Sequence, residues 1–107
     1  MSLDVTLIDI RPVSIYERNI THNLNRMAME AGIYYHLWRP EEMGITKAGE
    51  LIEPLSEALS DMIANPAKFE KYNPENGWGR YEDLLDFIAD YLVACKATPN
   101  ATIEVSR

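Results

Sequence analysis

Polar and apolar positions along the chain switch between two periods, and the switches divide it into elements. Residues 4 to 10, Asp-Val-Thr-Leu-Ile-Asp-Ile, are rich in β-branched side chains with partial alternation, and Pro12 closes the run, which predicts a first strand. Near the other end Ile103 and Val105 alternate with Thr102, Glu104 and Ser106, which predicts a half-buried strand over residues 101 to 107. Two short strands at opposite ends of a small chain are most cheaply stabilised by pairing with each other, and the pairing is expected to be antiparallel.

Between them the period becomes helical. Ile20, Leu24, Met27, Ala28 and Ala31 recur at helical spacing from about residue 16 to 31, with Gly32 as the stop. Leu51, Ile52, Leu55, Leu59, Met62 and Ile63 make an apolar face from about residue 46 to 64, with Thr46 as its N-cap and Pro54 as a kink or a first-turn restart. Tyr81, Leu84, Leu85, Ile88, Tyr91, Leu92 and Cys95 share one face from about residue 80 to 96. Residues 65 to 72 read as a cap and one or two helical turns that turn Phe69 and Tyr72 inward, while residues 33 to 40 stay ambiguous between a short strand and a loop with a turn. The resulting fold class is α+β: a small two- or three-stranded antiparallel sheet, its N- and C-terminal strands paired, covered on one face by three helices.

The 107 residues fit a single domain spanning 1 to 107, long enough for one core without staples. No apolar run approaches the roughly 18 residues that span a bilayer, and the start Met-Ser-Leu-Asp-Val lacks a basic segment and an apolar core, so a cytoplasmic protein with no membrane partner is expected. The single cysteine, Cys95, agrees, since it can form no internal disulfide. A formal net charge of −7 argues against direct binding to a nucleic-acid backbone, and fits either plain solubility or a basic partner.

Candidate chemistry concentrates in three places. On the first predicted helix Asn19, His22, Asn23 and Arg26 form one polar stripe, where mediocre helix formers occupy positions that a neutral surface would give to Glu, Lys or Ala. The second place is Trp38-Arg39, able to stack on a planar ligand or to serve the core. The third is the corner Asn73-Pro-Glu-Asn76-Gly-Trp78-Gly-Arg80-Tyr81, dense in shape-setting residues before the last helix. A purely structural role for this corner has Asn73 capping a turn, Asn76-Gly77 turning tightly, Gly79 capping the helix and Trp78 sealing the core. An anion site at the helix start is disfavoured because Glu82 and Asp83 already occupy the first turn. The histidines, His22 and His36, match no metal-ligand spacing, and nucleophile signatures are absent, with Cys95 on a core face. No metal, cofactor or catalytic residue is therefore assigned.

The strings Asn19-Ile-Thr-His-Asn-Leu24, Ala31-Gly-Ile-Tyr34, Leu37-Trp-Arg-Pro40 and Asn73-Pro-Glu-Asn-Gly-Trp-Gly79 resemble a group of small proteins encoded in bacteriophages and prophages. The resemblance covers most of the chain and implies a phage or prophage accessory protein, but no chemistry. The expected function is a non-enzymatic binding module for a small molecule or host protein, with a homo-oligomer allowed. Its expected site comprises Asn19, His22, Asn23, Arg26, Trp38, Arg39, Asn73, Asn76, Trp78 and Arg80. Two alternatives stand beside it: a small hydrolase with His22 as general base, and an acidic inhibitor that imitates nucleic acid through Glu50, Glu53, Glu57 and Asp61 on one helix and Glu82, Asp83, Asp86 and Asp90 on another.

Overall fold

Strand β1, Ser2–Ile8, alternates so that Leu3, Val5 and Leu7 are wholly buried on one face while Asp4 stays exposed on the other. That alternation makes it the centre of the sheet. In the computed structural model, which describes residues 1–9 and 14–107, β1 pairs antiparallel on one side with β2, Ser14–Thr21, and on the other with β3, Thr102–Ser106. The strand order is β2-β1-β3, so the N- and C-terminal strands pair as expected, and the α+β class holds with three strands. The expectation that Pro12 ends the first strand lies outside the described residues.

The third strand comes from the segment read as the start of a helix, and this corrects the reading of residues 16 to 31. Tyr16, Arg18 and Ile20 alternate with Glu17 and Asn19 and pair across from Leu7, Val5 and Leu3, so the period there is two. Aromatic and β-branched residues favour extension, and the pairing side chains of β1 supply the apolar neighbours that such a strand needs. The helical repeat begins only at Leu24. Thr21 closes the strand, and its Oγ1 accepts a bond from the Asn23 N–H at 3.3 Å to start a 3-10 turn, His22–Leu24, which leads into α1, Asn25–Glu30. Gly32, at φ 71°, stops α1 as predicted.

The ambiguous segment becomes a short helix, α2 (Tyr34–Trp38), followed by a 3-10 turn at Pro40–Met43. A second 3-10 turn, Ala48–Leu51, leads into α3, Ile52–Ala64, and Pro54 falls in its first turn, where a missing N–H costs little. Thr46 is not its side-chain cap; the Thr46 and Lys47 N–H groups instead donate to the Glu50 carboxylate. Helix α4, Pro66–Glu70, buries Phe69, and α5, Tyr81–Ala97, carries the predicted face: Tyr81, Leu84, Ile88, Tyr91, Leu92 and Cys95 are buried. Five helices rather than three thus accompany the sheet among the described residues.

The two edges of the sheet are finished differently. Along β3, the Ile103 N–H donates to the Thr46 carbonyl at 2.9 Å, the Ala48 N–H to the Ala101 carbonyl at 2.9 Å, and Lys47 Nζ to the Thr102 hydroxyl at 3.1 Å. Residues 46–48 therefore strap that edge. Along β2 no second strand or strap is paired among the described residues. Helix α5 packs on the inward face of β2, where the Tyr16 and Tyr91 rings stack 5.8 Å apart at 4°.

Candidate functional site

The corner before α5 is held by hydrogen bonds at nearly every turn of its backbone. Asn73 Oδ1 accepts from the Tyr81 N–H at 2.7 Å, and the Arg80 N–H donates to Asp83 at 2.9 Å, which together satisfy donors at the start of α5. The Gly77 N–H closes a turn onto the Pro74 carbonyl at 3.2 Å, and Asn76 Oδ1 accepts from the Trp78 N–H at 2.9 Å. Gly79, at φ 106°, lies so close to the β2–α1 junction that a Cβ there would stand 2.8 Å from Thr21 Cγ2 and 3.1 Å from Leu24 Cγ. From the other side, Asn23 Nδ2 donates to the Trp78 carbonyl at 3.3 Å. The polar residues after β2 and the glycine-rich corner thus meet.

This bracing presents Trp78 to solvent. Trp78 is 71% exposed, so the role of core seal is corrected: the backbone of Gly79 occupies the space against Thr21 and Leu24, and the indole is left outside. Below it runs a groove of about 290 Å³ lined by Arg18, Ile20, Thr21, Trp78, Asp83 and Asp86, with Asn19 and Phe87 completing it. Among the described residues the Asp86 carboxylate has no hydrogen bond or ion pair, and Asp83 uses one oxygen on the Arg80 N–H.

Arg18 is the cationic residue in the lining of this groove, but it is engaged. Its Nη1 lies 2.7 Å from Asp90 Oδ2, and the Tyr16 hydroxyl donates to the same oxygen at 2.8 Å. The two donors hold the Asp90 carboxyl below its ordinary range, Arg18 contributing most. Burial, reinforced by Asp90, raises Tyr16 far above the ordinary phenol, so its hydroxyl remains a donor. Asp90 is therefore a clamp between α5 and β2 rather than part of a free acidic face. Sequence reasoning gave no role to Tyr16 or Arg18, although their period-two spacing with Ile20 marks the strand that carries them.

The other predicted site residues are dispersed. Asn19 is not on a helix; it stands on the open face of the sheet, where Nδ2 donates to Ser2 Oγ and Asp4 Oδ1. His22 turns inward, its ring edge-on to Trp38 with centroids 6.1 Å apart and its buried Nε2 without a hydrogen-bond partner. Trp38 is 1% exposed and stacks on Tyr34 at 5.4 Å, so it belongs to the core and offers no face to a ligand. The hydrophobic side chains packed around α2 account for that placement. Arg39 bonds Tyr34 and Glu42 at 3.2 and 2.8 Å, away from the groove. Asn23, Arg26 and Asn73 border a separate hollow with Lys71 and Glu75. Arg80 is exposed beside the corner. Of the ten expected residues, Asn19 and Trp78 line the groove, while Asn23, Asn73 and Asn76 brace its rim.

A larger hollow of about 720 Å³ runs along α3, lined by Glu50, Glu53, Glu57 and Asp61 with Gly32 and His36 opposite. Two of its four carboxylates are occupied: Glu50 accepts from the Thr46 and Lys47 backbone, and Asp61 accepts from Lys68 and Asn65, bonds that lower both carboxyls. Burial lowers His36. No lining residue is shared with the groove that contains Asp83 and Asp86, so the two acidic rows line separate hollows. Among the described residues no cluster of three or more His, Cys, Asp or Glu side chains could hold a metal ion. Cys95 is buried, and burial pushes its thiol up to about 12. No helix among the described residues is long and apolar enough to cross a membrane. No family model, curated protein or solved structure matches the chain.

Proposed function

We propose that this chain is a non-enzymatic binding module, of the phage accessory kind its motifs resemble, that captures a basic segment of a protein partner in the groove beneath Trp78. The observation that carries the reading is the exposed indole itself. A hydrogen-bonded corner holds a large aromatic face out of the core at a groove it shares with Asp83 and with Asp86, whose carboxylate has no partner among the described residues. An indole face beside carboxylates is the surface that guanidinium and ammonium groups prefer, through cation–π attraction and charge-assisted hydrogen bonds together. The net charge of −7 steers such a partner inward.

The alternatives have less beneath them. A general base needs a proton to take and a group to orient it, whereas His22 Nε2 is enclosed beside Trp38 with no partner. An imitation of nucleic acid needs its charges on one plane, whereas the rows on α3 and α5 line separate hollows and Asp90 is neutralised by Arg18. The test is a titration of the protein with an arginine- and lysine-bearing heptapeptide and with its glutamate counterpart, read by indole fluorescence. The basic peptide is expected to change the Trp78 emission and to lose affinity on Trp78→Ala, on Asp86→Asn and with added salt. Equal responses to both peptides, or none, would remove the proposal.

A further inference from the structure

The bare edge of the sheet runs along this same groove. In an antiparallel ladder the backbone groups of alternate residues point to alternate sides, and the His22 N–H bond to the Met1 carbonyl at 3.2 Å fixes the phase. Counting from that pair, Ile20, Arg18 and Tyr16 exchange bonds with Leu3, Val5 and Leu7. Glu17 and Asn19 therefore direct their N–H and C=O groups away from β1. The same count across β1 points Ile103 outward from β3, where its N–H meets Thr46, so the phase agrees with a bond on the far side of the sheet. On β2 the corresponding groups meet nothing among the described residues.

We infer that β2 takes an extended basic segment as a fourth strand. The inference rests on the groove reading and gives it a geometry: backbone bonds to Glu17 and Asn19, with alternate side chains reaching Trp78, Asp83 and Asp86. The edge has no proline or glycine between Ser14 and Thr21, its register irregularity is confined to the Ser14 end, and its inward charge, Arg18, is held by Asp90, so residues 16–21 keep an unbroken register open to a partner. A second copy of the chain is the poorer occupant. Two-fold antiparallel pairing keeps both helical layers on one side only when opposed residue numbers sum to an even value, so a register centred on the strand sets Glu17 against Glu17 or Arg18 against Arg18. Two chains of net charge −7 repel further, whereas a cationic strand meets Asp83, Asp86 and, on the open face, Glu17.

The probe is acetyl-Lys-Val-Arg-Val-Lys-Val-Arg-amide, compared with two forms N-methylated either on all the valines or on all the inner basic residues. In a strand the nitrogens that face β2 belong to one of these sets and not the other. Strand addition therefore predicts that one methylated form loses tenfold or more in affinity while the other keeps it, and that amide exchange at Glu17 and Asn19 slows tenfold or more on binding. If the peptide binds through Trp78 with equal effects from both methylations and unchanged exchange at Glu17 and Asn19, the added strand is wrong and the groove reading stands. If it produces no Trp78 response and no affinity, both fall. Sedimentation at rising protein concentration gives the self-pairing arm: a dimer that Glu17→Pro abolishes by removing an N–H directed away from β1, with the chain otherwise folded, would replace the partner strand by a second copy.

Discussion

The two tryptophans lie in segments of different composition, one apolar and aromatic, the other polar and rich in glycine, and they end in opposite environments. Trp38 sits in a short helix with Leu37 and Ile33 buried around it, its ring sandwiched between Tyr34 and the edge of His22. Trp78 sits between two glycines at positive φ, with no side chain on either neighbour to draw it inward. Burial thus follows what the adjacent backbone can place against the core. The proposed function rests on this difference: the Trp78 backbone is braced by Asn23 and Asn76 while its ring is left exposed.

Replacing each ring should separate the two environments. Trp38→Ala removes a fully buried ring and should cost about 3–5 kcal/mol, enough to unfold a marginal domain, as read by urea denaturation. Gly79→Ala comes next, because φ 106° is strained for any side chain and the new Cβ would press on Thr21 and Leu24. A loss of about 1–3 kcal/mol is expected, together with a change in the Trp78 environment. A Gly79→Ala protein of unchanged stability and Trp78 emission would show that the corner is not braced through this contact.

The clamp between β2 and α5 should act more weakly and through pH. The folded-state carboxyl of Asp90 is lowered, so its stabilisation is present above the ordinary aspartate value near 3.8 and disappears as pH falls through the lower folded value. Asp90→Asn should therefore reduce stability at neutral pH by no more than about 1 kcal/mol, since the pair is half exposed, and the difference from the parent should vanish in strong acid. A difference that grew on acidification would contradict the assignment. The smallest expected effect is that of Trp78→Ala, within about 0.5 kcal/mol of the parent despite the loss of a whole indole. Acrylamide should quench the emission removed by that substitution far more than the emission left by Trp38. Cys95 should label slowly with thiol reagents in the folded state, its thiol pushed up to about 12 on the buried face of α5.

Much of the fold was legible because period and punctuation agreed. Leu84, Ile88, Tyr91, Leu92 and Cys95 kept one helical face over a long run, and Gly32 marked a stop that only a left-handed backbone could supply. The strand at Ser14–Thr21 was hidden by an accident of spacing. Ile20 and Leu24 stand four apart and read as one helical face, although the first belongs to a sheet and the second to the turn after it. That single join also misplaced Asn19. The groove was half visible: the corner's special residues announced a held shape, but which way Trp78 points depends on the contact of Gly79 with Thr21 and Leu24, which is made across 55 or more positions of sequence. Local pattern carries no information about such a contact.

The strap of residues 46–48 over β3 has a consequence for valency. A sheet with both edges open can grow without limit, each added strand exposing another, and that is the geometry of fibrils. Here one side is closed by Thr46, Lys47 and Ala48, so strand addition is confined to the β2 side. A second chain docked through its own β2 would give a finished pair, both outer edges strapped, whereas a docked peptide moves the one open edge outward by a single strand.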